Sequence, residues 1–183
     1  AVQRMVTDTI DHMGCLDILV NNSGIAVRAQ PQNLTAAQWD SVMDVNLRAA
    51  FIASKEAYPH LLKNGGGKII NIGSMYSLFG SDWGSPYAAS KGGIVQLTKS
   101  LAVAWAKDNI QVNAILPGWF VTDLTRGIEE GDPERHDNVS RRIPTGRWGD
   151  PSELGGAAVF LASQASNYVT GSTLTVDGGY SSS

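Results

Sequence analysis

The segment from residue 68 to residue 116 most restricts what this chain can fold into. It holds two short apolar runs, Lys68–Ile72 and Gln111–Leu116, separated by a helical pattern that extends from Pro86 to about Lys107. Two strands joined by so long a helix are expected to lie parallel in one sheet, because the helix carries the chain back across it. Similar short apolar runs at Leu16–Val20 and Thr173–Val176 add two strands. The sequence therefore predicts an α/β fold, with three layers: a parallel sheet and helices on both of its faces.

The remaining helices follow from the spacing of apolar residues and from capping patterns. Apolar positions at helical intervals predict helices over Val2–Met13 and Thr35–Leu62, and Asp150 begins a capping pattern before a helix that runs to about Ala162. The stretch from Thr122 to Arg142 is polar and charged and contains glycines and a proline, so we interpret it as a mobile lid or insertion. The 183 residues are predicted to form a single domain, 1–183.

Composition excludes several classes of protein. The hydrophobic content of 43%, the charged content of 17% and the net charge of −3 are typical of a globular protein, and no basic excess indicates nucleic acid as a partner. Cys15 is the only cysteine and the three histidines lie far apart, so we expect neither an internal disulfide nor a metal site. The sequence has no long apolar run and no signal peptide, so we expect no membrane partner and a cytoplasmic location.

Two reactive side chains share one face at the start of the predicted central helix. With Ser85 as its cap and Pro86 at its first position, Tyr87 and Lys91 lie one turn apart. A phenol has a free pKa of about 10, and a neighbouring ammonium would lower it. The Ser74 hydroxyl, at the end of the preceding strand, could hold a substrate oxygen beside that phenol. Such a group is a candidate acid/base site for a carbonyl or an alcohol, although the Tyr-x-x-x-Lys spacing alone more often marks a helix flank with a solvated lysine.

Other polar residues interrupt the predicted elements where ligands bind in α/β proteins. Turn-forming residues 21–24 follow the first strand, and Pro117 breaks the chain after the third; the carboxyl ends of parallel strands are where such sheets bind ligands. Asn46 lies within a predicted helix, although asparagine is a mediocre helix former. Two interpretations of Asn46 are open: a hydrogen-bonded polar residue on a helix flank, or a kink whose freed carbonyl holds a water.

Together these motifs resemble the short-chain dehydrogenase/reductase family, over nearly the whole chain. The loop Asn-Asn-Ser-Gly at 21–24 is similar to the family's Asn-Asn-Ala-Gly loop, and Ser74 precedes Tyr87 by the family's usual thirteen residues. The segment 117–122 is similar to the family's Pro-Gly-x-Ile-x-Thr, with Phe120 for isoleucine, and 176–179 matches its closing Val-Asp-Gly-Gly. The resemblance implies a Rossmann-like fold and a homo-oligomer, most simply a tetramer or dimer.

The resemblance also implies roles for particular residues. Catalysis would use Asn46, Ser74, Tyr87 and Lys91. The cofactor would be NAD or NADP, bound by Asn21, Asn22, Ser23, Gly24, Tyr87, Lys91, Pro117, Gly118, Phe120 and Thr122. The substrate would be a secondary alcohol or ketone. Residues 142–149 most resemble sugar-acid and polyol dehydrogenases, in particular the 2-deoxygluconate 3-dehydrogenase and gluconate 5-dehydrogenase group. Met75, Trp83 and Trp119 are candidates either for pocket walls or for core packing.

One departure from the family keeps alternatives open. The family's glycine-rich phosphate loop, Thr-Gly-x-x-x-Gly-x-Gly, does not occur in this sequence, which suggests that roughly the first two to three βα units are missing. That loop binds the pyrophosphate at a helix N-terminus, so we expect the 183 residues alone to bind the cofactor weakly. The alternatives to a sugar-acid dehydrogenase are a non-catalytic remnant with a structural or oligomerisation role, and an enzyme like the 3-oxoacyl-carrier-protein reductases.

Overall fold

The sheet has four parallel strands whose order in space is their order in the chain. The computed structural model describes residues 1–123 and 125–182. In these residues the strands are β1 (Ile18–Asn21), β2 (Gly67–Ile72), β3 (Ile110–Pro117) and β4 (Thr173–Val176). Asn21, Asn71, Ala114 and Thr173 pair across the sheet in one row. The predicted parallel α/β fold is confirmed, and all four strands end at one edge of the sheet.

Helices cover both faces of this sheet, as predicted. Alternate residues of the strands point to opposite faces: Ile69 packs in a core cluster with Ala53 and Leu101, while Ile70 packs against Leu161 on the other face. The α-helices are α1 (Val2–Met13), α2 (Ala36–Met43), α3 (Ala49–Lys63), α4 (Ser85–Trp105), α5 (Arg126–Gly131), α6 (Pro133–Arg141) and α7 (Gly155–Ala162). Helices α3 and α4 therefore form one outer layer and α7 the other. None of the helices within residues 1–123 and 125–182 is long and apolar enough to cross a membrane.

The structure differs from three local predictions. The first strand begins at Ile18 rather than Leu16 and continues to Asn21, because its pairing with β2 runs from Ile18–Lys68 to Asn21–Asn71. Ser85 does not cap α4: the Gly84 carbonyl already accepts from Ala88 N at 2.9 Å, so Gly84 is the cap and Ser85 the first helical residue. The single predicted helix over residues 35–62 is interrupted by a π-helical turn, Asp44–Arg48, between α2 and α3.

The predicted lid, Thr122 to Arg142, contains two short helices, α5 and α6. The carboxylate of Asp132 caps α6 by accepting from Arg135 N at 3.1 Å. Leu124 lies outside the described residues. The mobility of this segment stays a prediction.

The ends of β3 and β4 approach so closely that only glycine fits at position 118. Gly118 N donates to Val176 O at 2.8 Å, and a Cβ atom on Gly118 would lie 2.5 Å from the Cα of Asp177. We expect Gly118→Ala to lower the free energy of unfolding by about 1–3 kcal/mol, because backbone rather than a flexible side chain must move. Urea unfolding measures this change.

The matched control is Gly92→Ala, in the interior of α4. Beyond the adjacent backbone of α4, no atom lies within 4 Å of the position that its Cβ would take, so the loss of glycine flexibility should raise the free energy of unfolding by about 0.5–1 kcal/mol. If the Gly118 variant were as stable as the parent chain, the close approach of the two strand ends would be contradicted.

Candidate active site

The π-helical turn brings Asn46 into the interior, where its side chain joins a loop to a helix. Asn46 is 2% exposed. Its Oδ1 accepts from Ile25 N at 2.8 Å, and its Nδ2 donates to Ile25 O and to Ser90 Oγ, each at 3.0 Å. The helix is therefore distorted at Asn46 and the amide is fully hydrogen-bonded, while a carbonyl that holds a water here stays a prediction. Short π-helical turns of this kind often occur at functional sites.

Ser74 leaves β2 at the start of a short 3₁₀ helix, Met75–Ser77. Its backbone N donates to Ser77 Oγ and its own Oγ accepts from Tyr76 N, both at 3.2 Å. Ser77 Oγ in turn donates to the carbonyl of Lys91 at 2.7 Å, which ties this turn to α4. Because a serine hydroxyl has one donor hydrogen besides its acceptor lone pairs, Ser74 keeps that hydrogen for another partner.

Tyr87 and Lys91 lie on α4 as the spacing predicted, and both are largely shielded from solvent. Lys91 is 4% exposed and its Nζ lies 5.6 Å from the centre of the Tyr87 ring. That Nζ donates to Ile72 O, at the end of β2, at 2.7 Å. A Cβ atom on Gly24 would lie 3.5 Å from Lys91 Nζ and 3.6 Å from Asn46 Oδ1. The loop after β1 therefore passes close to Lys91 and Asn46 at Gly24, a residue that has no side chain.

Burial, rather than attraction between charges, dominates the ionisation of this pair. Burial raises the pKa of Tyr87, an effect that the hydrogen bond from Ser74 partly offsets and that Tyr76 increases slightly. Burial also lowers the pKa of Lys91 to about 8. The pKa of Tyr87 is thus raised, not lowered as predicted, because burial disfavours the phenolate and the ammonium alike.

The reactive groups open into a cavity of about 260 Å³ at the carboxyl edge of the sheet. Of the residues predicted to be catalytic or to bind cofactor, those that line it are Asn22, Gly24, Ser74, Tyr87, Lys91, Pro117, Gly118, Phe120 and Thr122. Of the candidate pocket walls, Met75, Trp83 and Trp119 all line it too, and Met75 also packs in the core.

Three of the predicted residues lie outside the cavity lining. Asn46 lies behind Ile25 and Ser90, as described above. Ser23 is exposed. Asn21 turns its amide beneath the loop, where Nδ2 donates to Asn71 Oδ1 at 2.7 Å and to Ser54 Oγ at 3.1 Å.

Sequence reasoning missed two cationic residues of the cavity lining, Arg28 and Arg135. Arg28 follows Gly24 by four residues, so a search of the same loop would have found it. Arg135 lies in a helix of nine residues with little apolar periodicity, and no spacing signal indicated which of its side chains face the strand ends.

Known proteins resemble this chain over nearly all of its length. A family model described as enoyl-(acyl carrier protein) reductase, of the short-chain dehydrogenase type, matches residues 1–181. The 2-dehydro-3-deoxy-D-gluconate 5-dehydrogenase of Bacillus subtilis is 48% identical over 165 residues, which are 90% of this chain and 65% of that protein. The 5-keto-D-gluconate 5-reductase of Escherichia coli K12 is 46% identical over 167 residues, which are 91% of this chain and 65% of the relative.

Solved structures agree with these relatives. A gluconate 5-dehydrogenase from Burkholderia cenocepacia, in complex with NADP and tartrate, superposes with a TM-score of 0.95 at 42% identity; the match covers 100% of this chain and 71% of that one. The chain thus spans about two thirds of the length of the proteins that it matches. The parallel sheet, the Tyr87–Lys91 pair and these matches together show that the chain belongs to the short-chain dehydrogenase/reductase family of oxidoreductases.

Proposed function

We propose that this chain forms the substrate-binding and nicotinamide-binding part of an NAD(P)-dependent oxidoreductase that interconverts a secondary alcohol and a ketone in a sugar acid. One observation carries the proposal: the Ser74 hydroxyl, the Tyr87 phenol and the Lys91 amine converge on one cavity. Relatives named as gluconate and ketogluconate oxidoreductases support the substrate class, and the relative solved with NADP supports the cofactor.

The residues of the cavity fit the nicotinamide half of such a cofactor. Gly24 leaves a cradle beside Lys91 Nζ that a larger side chain would fill, and Asn22 and Thr122 add polar groups to the lining. Lys91 would bind the ribose hydroxyls, with Asn22, Gly24, Pro117, Gly118, Phe120 and Thr122 around the nicotinamide. When bound, the cofactor supplies or accepts the hydride.

The chain's own residues would donate the proton and bind the substrate oxygen. Because its pKa is raised, Tyr87 is a neutral phenol at pH 7 and can donate its proton to a carbonyl oxygen. On a bound substrate the Ser74 hydroxyl, which hydrogen-bonds to Tyr87, would instead donate to the same oxygen and stabilise charge that develops there. With a pKa of about 8, Lys91 is mostly protonated at pH 7. Asn46 would position the loop and α4 around these groups through Ile25 and Ser90.

A substrate panel tests this function and separates it from the alternatives. The protein is incubated with the oxidised cofactor, NAD or NADP, and gluconate or the corresponding alditols, or with the reduced cofactor and 5-ketogluconate or a 3-oxoacyl thioester, while nicotinamide absorbance is followed. We expect turnover of a sugar acid. Turnover of the thioester alone would favour the carrier-protein reductase alternative, and a folded protein with no turnover on any pair would favour the non-catalytic one.

We also propose that the protein is a homo-oligomer, a dimer or tetramer built across α3, α4 and the π-helical turn. A shallow groove there is lined by the apolar residues Met43, Leu47, Phe51 and Leu97, beside Gly93 and the charged Asp44 and Arg48, and Phe51 is 46% exposed. Covering these side chains with a second copy would remove apolar surface from water. Light scattering at micromolar concentration should report a mass of at least two chains, whereas a stable monomer would contradict the proposal. A cytoplasmic location and a single domain stay predictions.

A further inference from the structure

The cavity has a charge opposite to that of the chain. The 183 residues carry a net charge of −3, yet the charged residues among the described part of the cavity lining are Arg28, Lys91 and Arg135, with no aspartate or glutamate. A cleft lined by charges of one sign concentrates ligands of the other sign. The cavity is therefore suited to an anionic ligand.

No described carboxylate neutralises these three cations. The ion pairs that join two described residues involve the cations Arg4, Arg48, His136 and Arg147. Lys91 Nζ donates to a backbone carbonyl, and Asp132 bonds to the backbone of Arg135 rather than to its guanidinium. Partly buried charges are usually paired, so an anion supplied from outside would complete this arrangement.

Of the three cations, Arg135 is the best placed to select a substrate. Lys91 lies beside the catalytic candidate Tyr87, and Arg28 is exposed. Arg135, in contrast, is half-buried on α6. Several contacts hold this helix, among them the Asp132 cap and the stacking of His136 on Trp148, with 5.0 Å between ring centres. Arg135 therefore projects from an anchored element.

The neighbours of Arg135 place it on the substrate side. It borders both the cavity and an adjoining groove, together with Tyr76 and Trp83, which belong to the stretch between Ser74 and Tyr87. The groove beyond contains the carboxylates of Asp82, Asp132 and Glu134 beside a further cation, Arg142. With three carboxylates against two arginines, the groove attracts an anion less than the cavity does.

We propose that Arg135 is the specificity-determining residue that binds the carboxylate of the substrate, with Arg28 as a second cation at the rim. The inference rests on the proposed function and adds the group that recognises the acid. A guanidinium can present two parallel N–H donors to a carboxylate, which fixes orientation as well as charge. Held this way at one end, a sugar acid would extend its hydroxyl or keto group toward Ser74 and Tyr87.

The test compares an acid with a neutral analogue of the same shape, gluconate with gluconamide. We expect Arg135→Gln to lower kcat/KM for gluconate by roughly 10- to 100-fold, as for the loss of a hydrogen bond to a charged group, and to change kcat/KM for gluconamide by less than about threefold. Arg135→Lys should restore part of the loss for the acid. The control is Arg141→Gln on the same helix, because Arg141 is exposed and its guanidinium bonds to Asn138 Oδ1 at 2.8 Å; we expect it to behave like the parent protein.

Two results would overturn the inference. Equal losses for acid and amide would mean that Arg135 supports the fold, and a change confined to the KM of NAD or NADP would mean that it binds a cofactor phosphate. Calorimetric titration with gluconate in the presence of the cofactor needs no turnover. Weaker binding by Arg135→Gln than by Arg141→Gln would support the inference even if the proposed reaction failed, and gluconate binding that ignores Arg135, or is absent from the parent protein, would reject it.

Discussion

Replacing Tyr87 with phenylalanine is expected to reduce turnover by about 10²- to 10⁴-fold, the usual contribution of a positioned acid or base. The substitution removes one hydroxyl and keeps the ring, whose edge-on contact with Tyr76 has 6.1 Å between centres. The proton that the substrate oxygen needs would then have to come from water. Steady-state rates in both directions measure the loss, and thermal unfolding checks that the fold is intact.

Tyr58→Phe is the matched control for this substitution. Tyr58 donates to Asp108 at 2.9 Å and stacks on Trp105, away from the cavity, so its loss should leave turnover unchanged and lower stability only slightly. A Tyr87→Phe variant that turned over like the parent protein would rule out the phenol as the proton donor.

The second large effect concerns Lys91. We expect Lys91→Met to reduce turnover on the order of 10²-fold or more, as for the loss of a fixed electrostatic group. In the parent protein, kcat/KM for ketone reduction should be constant at low pH and fall as the pH rises through about 8, because the Lys91 ammonium loses its proton there. The phenol does not produce this fall, since its pKa is raised and it keeps its proton over the same range.

Two lysine-to-arginine variants identify the group that titrates. A guanidinium stays protonated throughout, so whatever activity Lys91→Arg retains should show no decline near pH 8. Lys68 on β2 is the control, because burial lowers its pKa as well and its Nζ donates to Asn167 Oδ1 at 2.8 Å, remote from the cavity. Lys68→Arg should keep the decline. A decline that persisted in Lys91→Arg would assign the titration to another group.

The sequence predicted those parts of the site that depend on spacing within one element. Tyr87 and Lys91 share a face because they are one turn apart on α4, and Ser74 meets them because β2 delivers it to the same edge of the sheet. Asn21 shows a limit of such reasoning: it is the last residue of β1 and its side-chain amide binds Asn71 across the sheet, while the cofactor contact that its motif indicated stays a prediction. Motif position does not give side-chain direction.

Neither the pKa of Tyr87 nor the position of Arg135 could be predicted from the sequence, for different reasons. The pKa of Tyr87 depends on how much apolar material surrounds the phenol, and that material comes from several separate elements. Arg135 reaches the cavity because of how α6 packs through His136 and Trp148, and a polar helix gives no periodic pattern from which that packing could be predicted.

The π-helical turn at Asp44–Arg48 fixes the number of residues that the chain must have between α2 and α3. Relative to a regular α-helix such a turn holds a surplus residue, and each residue of an α-helix advances it by about 100°. Deleting one residue there would regularise the hydrogen bonds but rotate Ala53, Ala57 and Leu61 out of the core cluster that they share with β2, or else withdraw Asn46 from Ile25 and Ser90. The turn thus lets one continuous helical segment point Asn46 toward Ile25 and Ser90 and still keep Ala53, Ala57 and Leu61 in the core, and we expect the deletion of one residue within it to destabilise the fold.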